Sequence, residues 1–196
     1  MRLAIVLYEG FADWECALLM AAARTHLGVD IDVATTNGAP VTSMGGLDVS
    51  AHLSIDALDP AGFDGLVICG GLTWEPETMP DLSTTIRAFD RDRRLVAAIC
   101  GGVNALAVSG LLDRTDHTAN SAESLAALTG YRGGQRYRDQ PQALRSGHVV
   151  TAAGTAPISF AGEILRGLGL GSAELDGFLA LYGQEHQTGQ NGRAPD

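Results

Sequence analysis

Residues 95–108 have the sequence LVAAICGGVNALAV. Five apolar residues precede Cys100, two glycines follow it, and the apolar spacing after the glycines is that of a helix. This predicts a buried strand, a sharp turn that carries a thiol at its tip, and a helix, the arrangement known as a nucleophile elbow. A helix N-terminus beneath the sulfur favours the thiolate, so the sequence predicts a reactive Cys100 with a lowered pKa. An inert buried cysteine is the alternative.

The rest of the chain alternates between strand and helix patterns. Short apolar runs indicate buried parallel strands, and longer stretches between them indicate helices. Strands are expected at residues 3–8, 30–36, 63–69 and 95–99, further short strands at 117–120, 131–138 and 143–152, and a small hairpin at 41–49. Helices are expected at residues 12–27, 81–91, 121–128 and 158–168. The alternation predicts an α/β fold with a mostly parallel sheet and helices on both faces.

Length and composition bound the number of domains. The chain has 196 residues, which suits a single α/β domain, and no linker or internal repeat divides it. We therefore expect one domain over residues 1–183. Residues 184–196 are polar and rich in glycine and glutamine, which predicts a disordered tail.

Charge and cysteine content exclude several classes of protein. A net charge of −10 argues against binding to a nucleic-acid backbone, which requires clustered cations. No apolar run approaches the length of a membrane span, and the first residues lead into a strand without a cleavage site, so we expect a cytoplasmic protein. Three cysteines without paired spacing argue against a disulfide framework. No metal-ligand spacing is found, so neither a metal nor a cofactor is expected.

Residues that can act in catalysis follow several of the predicted strands, at the edge where parallel sheets bind ligands. Glu15 lies in the first turn of the first predicted helix. When protonated it can donate a hydrogen bond to a cysteine sulfur, and when ionised it can act as a base. Compensation of the helix dipole is the alternative, and spacing alone favours that alternative. Asp13, the neighbouring carboxylate, is expected to cap the helix N-terminus.

The glycine pair after the third strand supplies backbone donors. The amides of Gly71 and Gly101 are candidates for an oxyanion hole, with a plain tight turn as the alternative. Trp74 and Glu75 follow closely and are candidates for the wall of the cleft. Cys69 precedes the glycine pair and is a candidate second thiol.

Two polar residues after the elbow helix are candidates for a partner of Cys100. A histidine is the usual group that activates a thiol, and His117 is the best placed in the sequence. Asn120 follows three residues later. Residues three apart in a regular strand lie on opposite faces, so His117 and Asn120 cannot both face the cysteine.

These motifs resemble those of the ThiJ/PfpI superfamily, the Parkinson-deglycase group of class I glutamine-amidotransferase-like proteins. The resemblance covers about residues 3–170. It is carried by residues 98–102 (AICGG), 107–113 (AVSGLLD), 69–71 (CGG), 13–15 (DWE) and 151–157 (TAAGTAP).

The resemblance implies a flavodoxin-like three-layer sandwich, a homodimer, a reactive Cys100 and a Glu15 that hydrogen-bonds to it. Many members have a histidine at the position that aligns with Asn120, and members named as proteases or amidases depend on it. The resemblance therefore implies an incomplete Cys-His-Glu triad in this chain, with Asn120 left to orient a substrate carbonyl or bond to the thiolate.

Two functions compete on this basis. The first is a cysteine-dependent enzyme that acts on a small reactive carbonyl or amide, without a cofactor, through Cys100, Glu15 and the amides of Gly71 and Gly101. The second is a stress-response protein that senses oxidation through the thiol of Cys100. A nucleotide-binding protein is disfavoured, because no Gly-x-Gly-x-x-Gly motif follows the first strand.

Overall fold

The computed structural model describes residues 1–74 and 79–184. Glu75 lies outside these ranges, as does the predicted tail at residues 184–196 apart from its first residue. The strands are β1 (Arg2–Val6), β2 (Asp30–Thr35), β3 (Val41–Thr42), β4 (Asp48–Val49), β5 (Leu53–Ser54), β6 (Gly65–Ile68), β7 (Leu95–Ile99), β8 (Leu144–Ser146) and β9 (Val149–Ala152). The α-helices are α1 (Asp13–His26), α2 (Ser83–Arg91), α3 (Gly102–Val108), α4 (Ala122–Ala126), α5 (Pro157–Gly167) and α6 (Ala173–Tyr182). No helix in the described ranges has the length and apolar character needed to cross a bilayer.

Seven strands form one sheet in the order β5-β2-β1-β6-β7-β9-β8. Neighbouring strands are parallel except for β8 and β9, which are antiparallel. The central strands β6 and β7 are buried along their whole length, which explains their continuous apolar sequence. The predicted α/β fold, with a mostly parallel sheet and helices on both faces, is confirmed.

Strand β7 shows how the two faces of the sheet are filled. Leu95, Ala97 and Ile99 pack in the core that includes α1 and α5, whereas Val96 and Ala98 pack in the core that includes α2 and α3. This alternation follows from the two-residue period of a strand. The result is a helix–sheet–helix sandwich with one apolar core on each side.

The order of the strands brings four loops together. Strands β1, β6, β7 and β9 are consecutive neighbours, and their register pairs Val6 with Ile68 and Ile99 with Ala152. The residues that follow these strands therefore meet at one edge of the sheet. Parallel sheets bind their ligands beyond this edge.

Two of the short predicted strands are wrong. Residues 117–120 form a single bridge, made by His117, in place of a strand. Residues 131–138 contain the 3-10 turn Gly134–Arg136, in which the N–H groups of Arg136 and Tyr137 donate to the carbonyls of Gly133 and Gly134. The predicted strand at residues 143–152 is the β8–β9 hairpin.

Asp13 joins α1 to the small antiparallel hairpin formed by β3 and β4. Its carboxylate accepts hydrogen bonds from the Ser43 hydroxyl and from Gly45 N–H, the latter at 2.8 Å. The N-cap position belongs to Ala12, which makes no side-chain cap. The prediction that Asp13 caps α1 is therefore wrong, because its carboxylate accepts hydrogen bonds from the hairpin and not from the first backbone amides of the helix.

Candidate active site

Cys100 occupies the sharp turn between β7 and α3. Its φ of +56° lies in the left-handed region, which costs a non-glycine residue about 1–3 kcal/mol. Its N–H donates to Ala152 O at 2.9 Å and its carbonyl accepts from Val103 N–H at 3.2 Å, so the backbone holds this conformation. Gly102 allows α3 to start close to β6, since a Cβ at this position would lie 2.8 Å from Ile68 O. The strand, the turn and the helix together present the thiol at the edge of the sheet.

Glu15 extends from the first turn of α1 into this edge and is 1% exposed. Its Oε2 accepts a hydrogen bond from Gly70 N–H at 2.6 Å and a longer one from the Cys69 thiol at 3.7 Å. Side chains of a helix lean toward its N-terminus, so a residue in the first turn reaches the loops beyond it. The second oxygen, Oε1, is buried and has no hydrogen-bond partner among the described residues.

The unpartnered Oε1 of Glu15 and the sulfur of Cys100 border the same small space. A Cβ placed on Gly154 would lie 3.1 Å from this oxygen and 3.0 Å from Sγ. A buried acceptor without a donor is unfavourable by about 1–3 kcal/mol, and more when it is charged. A proton on Oε1 removes this cost, because the O–H can then donate to the sulfur. The geometry therefore favours a neutral Glu15 beside Cys100.

Asn120 provides a second donor to the sulfur. Its Nδ2 donates to Cys100 Sγ at 3.3 Å, and its Oδ1 accepts from Gly154 N–H at 2.9 Å. A backbone amide can only donate, so the oxygen of the Asn120 side chain must face Gly154. This bond directs the NH2 group toward the thiol, where it favours the ionised form.

Burial and mutual charge set the protonation of Glu15 and Cys100. Loss of solvation raises the pKa of Glu15. Burial also raises the pKa of Cys100; the donors from Asn120 and Gly101 act in the opposite direction, and an ionised Glu15 adds to the rise. The lowered pKa predicted from the helix N-terminus is therefore wrong, because that prediction took no account of burial or of the carboxylate. When the pair holds one proton, the nucleophilic form has a neutral Glu15 and an ionised Cys100.

Cys100 and Asn120 both line two adjoining cavities. The larger, of about 780 Å³, lies between α1, the start of α5 and the end of α6. The smaller, of about 320 Å³, lies over the turn at the start of α3 and extends to α4. The thiol is thus accessible from two sides.

Most of the residues predicted for the site lie around this thiol. Gly71, Gly101 and Trp74 line the smaller cavity together with Cys100. The position of Trp74 is fixed by its carbonyl, which accepts from Asn104 Nδ2 at 3.1 Å, and by close contact with Gly101, where a Cβ would lie 2.5 Å from the Trp74 Cβ. No group of three or more His, Cys, Asp or Glu side chains in the described ranges is arranged to hold a metal ion.

His117 does not line either cavity, so the prediction that it is a partner of Cys100 is wrong. Its Nδ1 donates to Thr115 O and its Nε2 accepts from the Tyr131 hydroxyl, both at 2.7 Å. The ring is fully buried, and this burial lowers its pKa, so the imidazole is neutral. Both of its nitrogens are engaged in the core beside α4, which leaves Asn120 alone to face the cysteine from this segment.

Two residues of the site, Gly154 and Trp14, were not predicted, and Gly70 has a steric role in addition to the backbone donor expected of the glycine pair. A Cβ on Gly70 would lie 2.5 Å from Glu15 Oε2 and 2.6 Å from Cys100 Cβ, so glycine is required between the two groups. A Cβ on Gly154 would lie 3.0 Å from Cys100 Sγ, so a larger residue would displace the thiol slightly, and the Gly154 amide also orients Asn120. Trp14 donates from Nε1 to Gly154 O at 3.2 Å and forms a wall of the larger cavity. The only sequence signal for Trp14 and Gly154 is their place within the family motifs at residues 13–15 and 151–157.

Comparison with known proteins places this site in a family. A curated relative, the uncharacterised protease YdeA of Bacillus subtilis, is 35% identical over 82% of this chain and 79% of its own. The deglycase TK1284 of Thermococcus kodakarensis is 29% identical over 57% of this chain and 68% of its own. The crystal structure of Atu0886, a DJ-1 superfamily protein of Agrobacterium tumefaciens, superposes with a TM-score of 0.92 at 52% identity and covers 95% of this chain and 99% of that one. The profile of the DJ-1/PfpI family matches residues 1–167, and the chain belongs to that family.

Proposed function

We propose that this protein is a cysteine-dependent enzyme that acts on small reactive carbonyl compounds. The observation that carries the proposal is the position of Cys100 Sγ. It lies beside the unpartnered Oε1 of Glu15, within 3.3 Å of Asn120 Nδ2, and opens into two cavities. A nucleophile, a proton carrier and a fixed donor are thus assembled where a substrate can reach them.

The chemistry of a 2-oxoaldehyde suits these groups. The thiolate of Cys100 adds to the aldehyde carbon, and the amides of Gly71 and Gly101 stabilise the oxyanion that forms. The neutral Glu15 gives its proton to this oxyanion, which leaves a hemithioacetal and a Glu15 carboxylate. The carboxylate then carries the proton of the same carbon to the neighbouring ketone carbon, while the hydroxyl proton passes to the ketone oxygen, and the product is the thioester of a 2-hydroxy acid. Water hydrolyses the thioester and regenerates the thiol. One carbon is oxidised while its neighbour is reduced, so no external oxidant is required.

Cleavage of an amide fits the site less well. The departing amine must receive a proton, and a histidine is the usual donor. Asn120 stands beside the sulfur and has no proton to transfer, and both nitrogens of His117 are engaged elsewhere. Among the relatives, the name of the deglycase supports carbonyl chemistry, whereas the protease name of YdeA does not suit this arrangement.

The test is turnover of methylglyoxal to lactate, followed by chromatography. We expect product with the wild-type protein, none with Cys100→Ser, and an unchanged rate with Cys16→Ala, which alters a thiol in the apolar core. Equal rates for wild type and Cys100→Ser, or a lack of product at every substrate concentration, would rule out the enzyme proposal.

Oxidation sensing is the second candidate, favoured by one observation. Cys100 is partly exposed, and the donor from Asn120 that faces its sulfur can also hold the oxygens of an oxidised thiol. Treatment with peroxide followed by mass spectrometry separates the two functions. A sensor forms a stable Cys100 sulfinate at peroxide levels that leave Cys16 and Cys69 unchanged, and it shows no carbonyl turnover.

The homodimer implied by the family resemblance is also part of the proposal. Met44, Leu47 and Leu72 are exposed near the loop that follows β1; Leu47 is 62% exposed and Leu72 is 66% exposed. Met44 N–H donates to Phe11 O and Leu72 N–H donates to Gly10 O, so the segments that carry these side chains flank the same loop. A second copy of the chain would cover this apolar surface.

A further inference from the structure

The two cavities that meet at Cys100 differ in chemical character. The larger is walled by apolar side chains: Leu18 from α1, Pro157 and Ile158 from α5, the exposed ring of Trp14, and Tyr182 from α6. Its volume of about 780 Å³ is within the range of cavities that bind small ligands. A cavity with such walls favours an apolar group of several carbons over water.

The described lining of the smaller cavity is polar and contains no charged side chain. Its lining includes the side chains of Asn104 and Ser124 and the backbone of Gly71 and Gly101. The Ser124 hydroxyl donates to Ser121 O at 2.9 Å, and its oxygen retains lone pairs that can accept from a ligand. These groups suit a small hydroxyl, carbonyl or amide.

The lining described for both cavities contains one carboxyl, that of Glu15, and no cationic side chain. Glu15 is buried, and its Oε2 is already bound to Gly70. No arginine or histidine is among the lining residues described for either cavity, and the chain contains no lysine. A carboxylate or phosphate on the substrate would lose its hydration without gaining a counter-charge, and it would also face the carboxyl of Glu15.

We infer that the substrate is a neutral carbonyl compound with an aromatic or branched aliphatic substituent on one side of the reacting carbon and a small hydrogen-bonding group on the other. The reaction in this inference rests on the proposed function, whereas the recognition of the substrate rests on the two cavities alone. The substituent occupies the larger cavity against Ile158 and Leu18. The hydrogen-bonding end occupies the smaller cavity, and the electrophilic carbon lies at Cys100, where the two cavities meet.

The first experiment compares phenylglyoxal, methylglyoxal and 4-carboxyphenylglyoxal, which all contain the 2-oxoaldehyde that the proposed reaction requires. We expect kcat/KM for phenylglyoxal to exceed that for methylglyoxal by about tenfold or more, and to exceed that for the anionic 4-carboxyphenylglyoxal by at least as much. Ile158→Ala should reduce the ratio of phenylglyoxal to methylglyoxal, because it removes part of the apolar wall. Leu181→Ala, an exposed position of α6 outside the described lining, should leave the ratio unchanged. Equal kcat/KM values for phenylglyoxal and 4-carboxyphenylglyoxal would overturn the inference.

A second experiment tests recognition without turnover. The thiolate displaces iodide from N-benzyliodoacetamide, iodoacetamide or iodoacetate, and each rate at Cys100 is divided by the rate at glutathione. We expect the benzyl reagent to be favoured and iodoacetate to be disfavoured, each by about tenfold relative to iodoacetamide. Identical ratios for the three reagents would overturn the inference. Selective alkylation in the absence of carbonyl turnover would support the recognition and reject the proposed reaction.

Discussion

Gly154 lies between the two reactive side chains and leaves space that any other residue would fill. A Cβ there would lie 3.0 Å from Cys100 Sγ and 3.1 Å from Glu15 Oε1, closer than ordinary contacts allow. The backbone of Gly154 also bonds to Asn120 and to Trp14. A single glycine thus sets both the spacing of the reactive pair and the orientation of the donor.

Gly154→Ala is therefore expected to push Glu15 and Cys100 apart by a few tenths of an ångström and to reduce carbonyl turnover by about tenfold, since a displacement of about 1 Å costs about 100-fold. The fold should persist, which circular dichroism can verify. Gly177→Ala is the matched control: it lies in α6 with open space around it, and it should leave turnover unchanged and increase stability by a few tenths to about 1 kcal/mol. Wild-type turnover in Gly154→Ala would contradict the geometry.

The raised pKa of Glu15 predicts how the free energy of unfolding depends on pH. A carboxyl whose folded pKa is raised stabilises the folded state below its ordinary value of 4.5, and this contribution is lost as pH rises through the folded pKa. Glu15→Gln keeps a neutral side chain of the same shape at every pH. The free energy of unfolding of the variant, relative to wild type, should therefore increase as the pH rises above 4.5 toward the raised pKa of the folded state, which urea titrations can measure.

The same variant separates stability from chemistry. Glutamine cannot carry a proton, so carbonyl turnover by Glu15→Gln should fall by about 10²–10⁴-fold even where the protein is more stable. A difference in stability that is constant with pH would mean that the pKa of Glu15 is the same in the folded and unfolded proteins. Unchanged turnover would remove Glu15 from the mechanism.

At the scale of elements, the small β3–β4 hairpin is held to α1 by Asp13. Asp13→Ala should release the Gly45 amide, which then exchanges its hydrogen faster with solvent, as hydrogen-exchange mass spectrometry can record. Asp13→Asn keeps one acceptor oxygen and should retain part of the protection. Protection of Gly45 that is the same in all three proteins would show that this contact does not hold the hairpin.

Helices and strands that pack along their whole length against the sheet or an apolar core could be predicted from sequence. The first helix was expected at residues 12–27 and spans Asp13–His26, because its pattern is long and ends before a glycine. The expected strands at residues 117–120 and 131–138 fail because their residues bond to local turns and to one another through a single bridge. A short alternating pattern does not reveal whether a sheet edge is available to it.

At the scale of the whole molecule, the site depends on the strand order. Glu15 lies in the first turn of α1, which follows β1, whereas Gly70, Cys100 and Gly154 follow β6, β7 and β9. These residues meet only because the four strands are neighbours in the sheet. The pattern around Cys100 predicted the elbow, since that signal is local. The bond between Asn120 and Gly154 joins residues 34 apart, and no periodicity in the sequence reports it. The raised pKa values of Glu15 and Cys100 also follow from burial in the folded protein and not from the local sequence.

The apolar surface around the loop after β1 predicts the assembly. Leu47→Glu should convert a dimer into a monomer, because a charge would be buried in the interface, and light scattering after gel filtration measures this change. Leu181→Glu, at an exposed leucine of α6, is the control and should leave the mass unchanged. A monomeric wild-type protein, or a Leu47→Glu protein that remains dimeric, would exclude this surface as the interface.

In the function proposed above, Cys100 is the nucleophile, and the Asn120 side chain that donates to its sulfur favours the thiolate. The most direct test is the pH dependence of Cys100 alkylation by iodoacetamide, read by mass spectrometry, with the buried Cys16 and Cys69 as internal controls. In Asn120→Ala the midpoint should move to higher pH and the rate at neutral pH should fall by about tenfold or more, while Asn37→Ala should match wild type. Identical profiles for Asn120→Ala and wild type, or equal labelling of the three cysteines, would contradict the account.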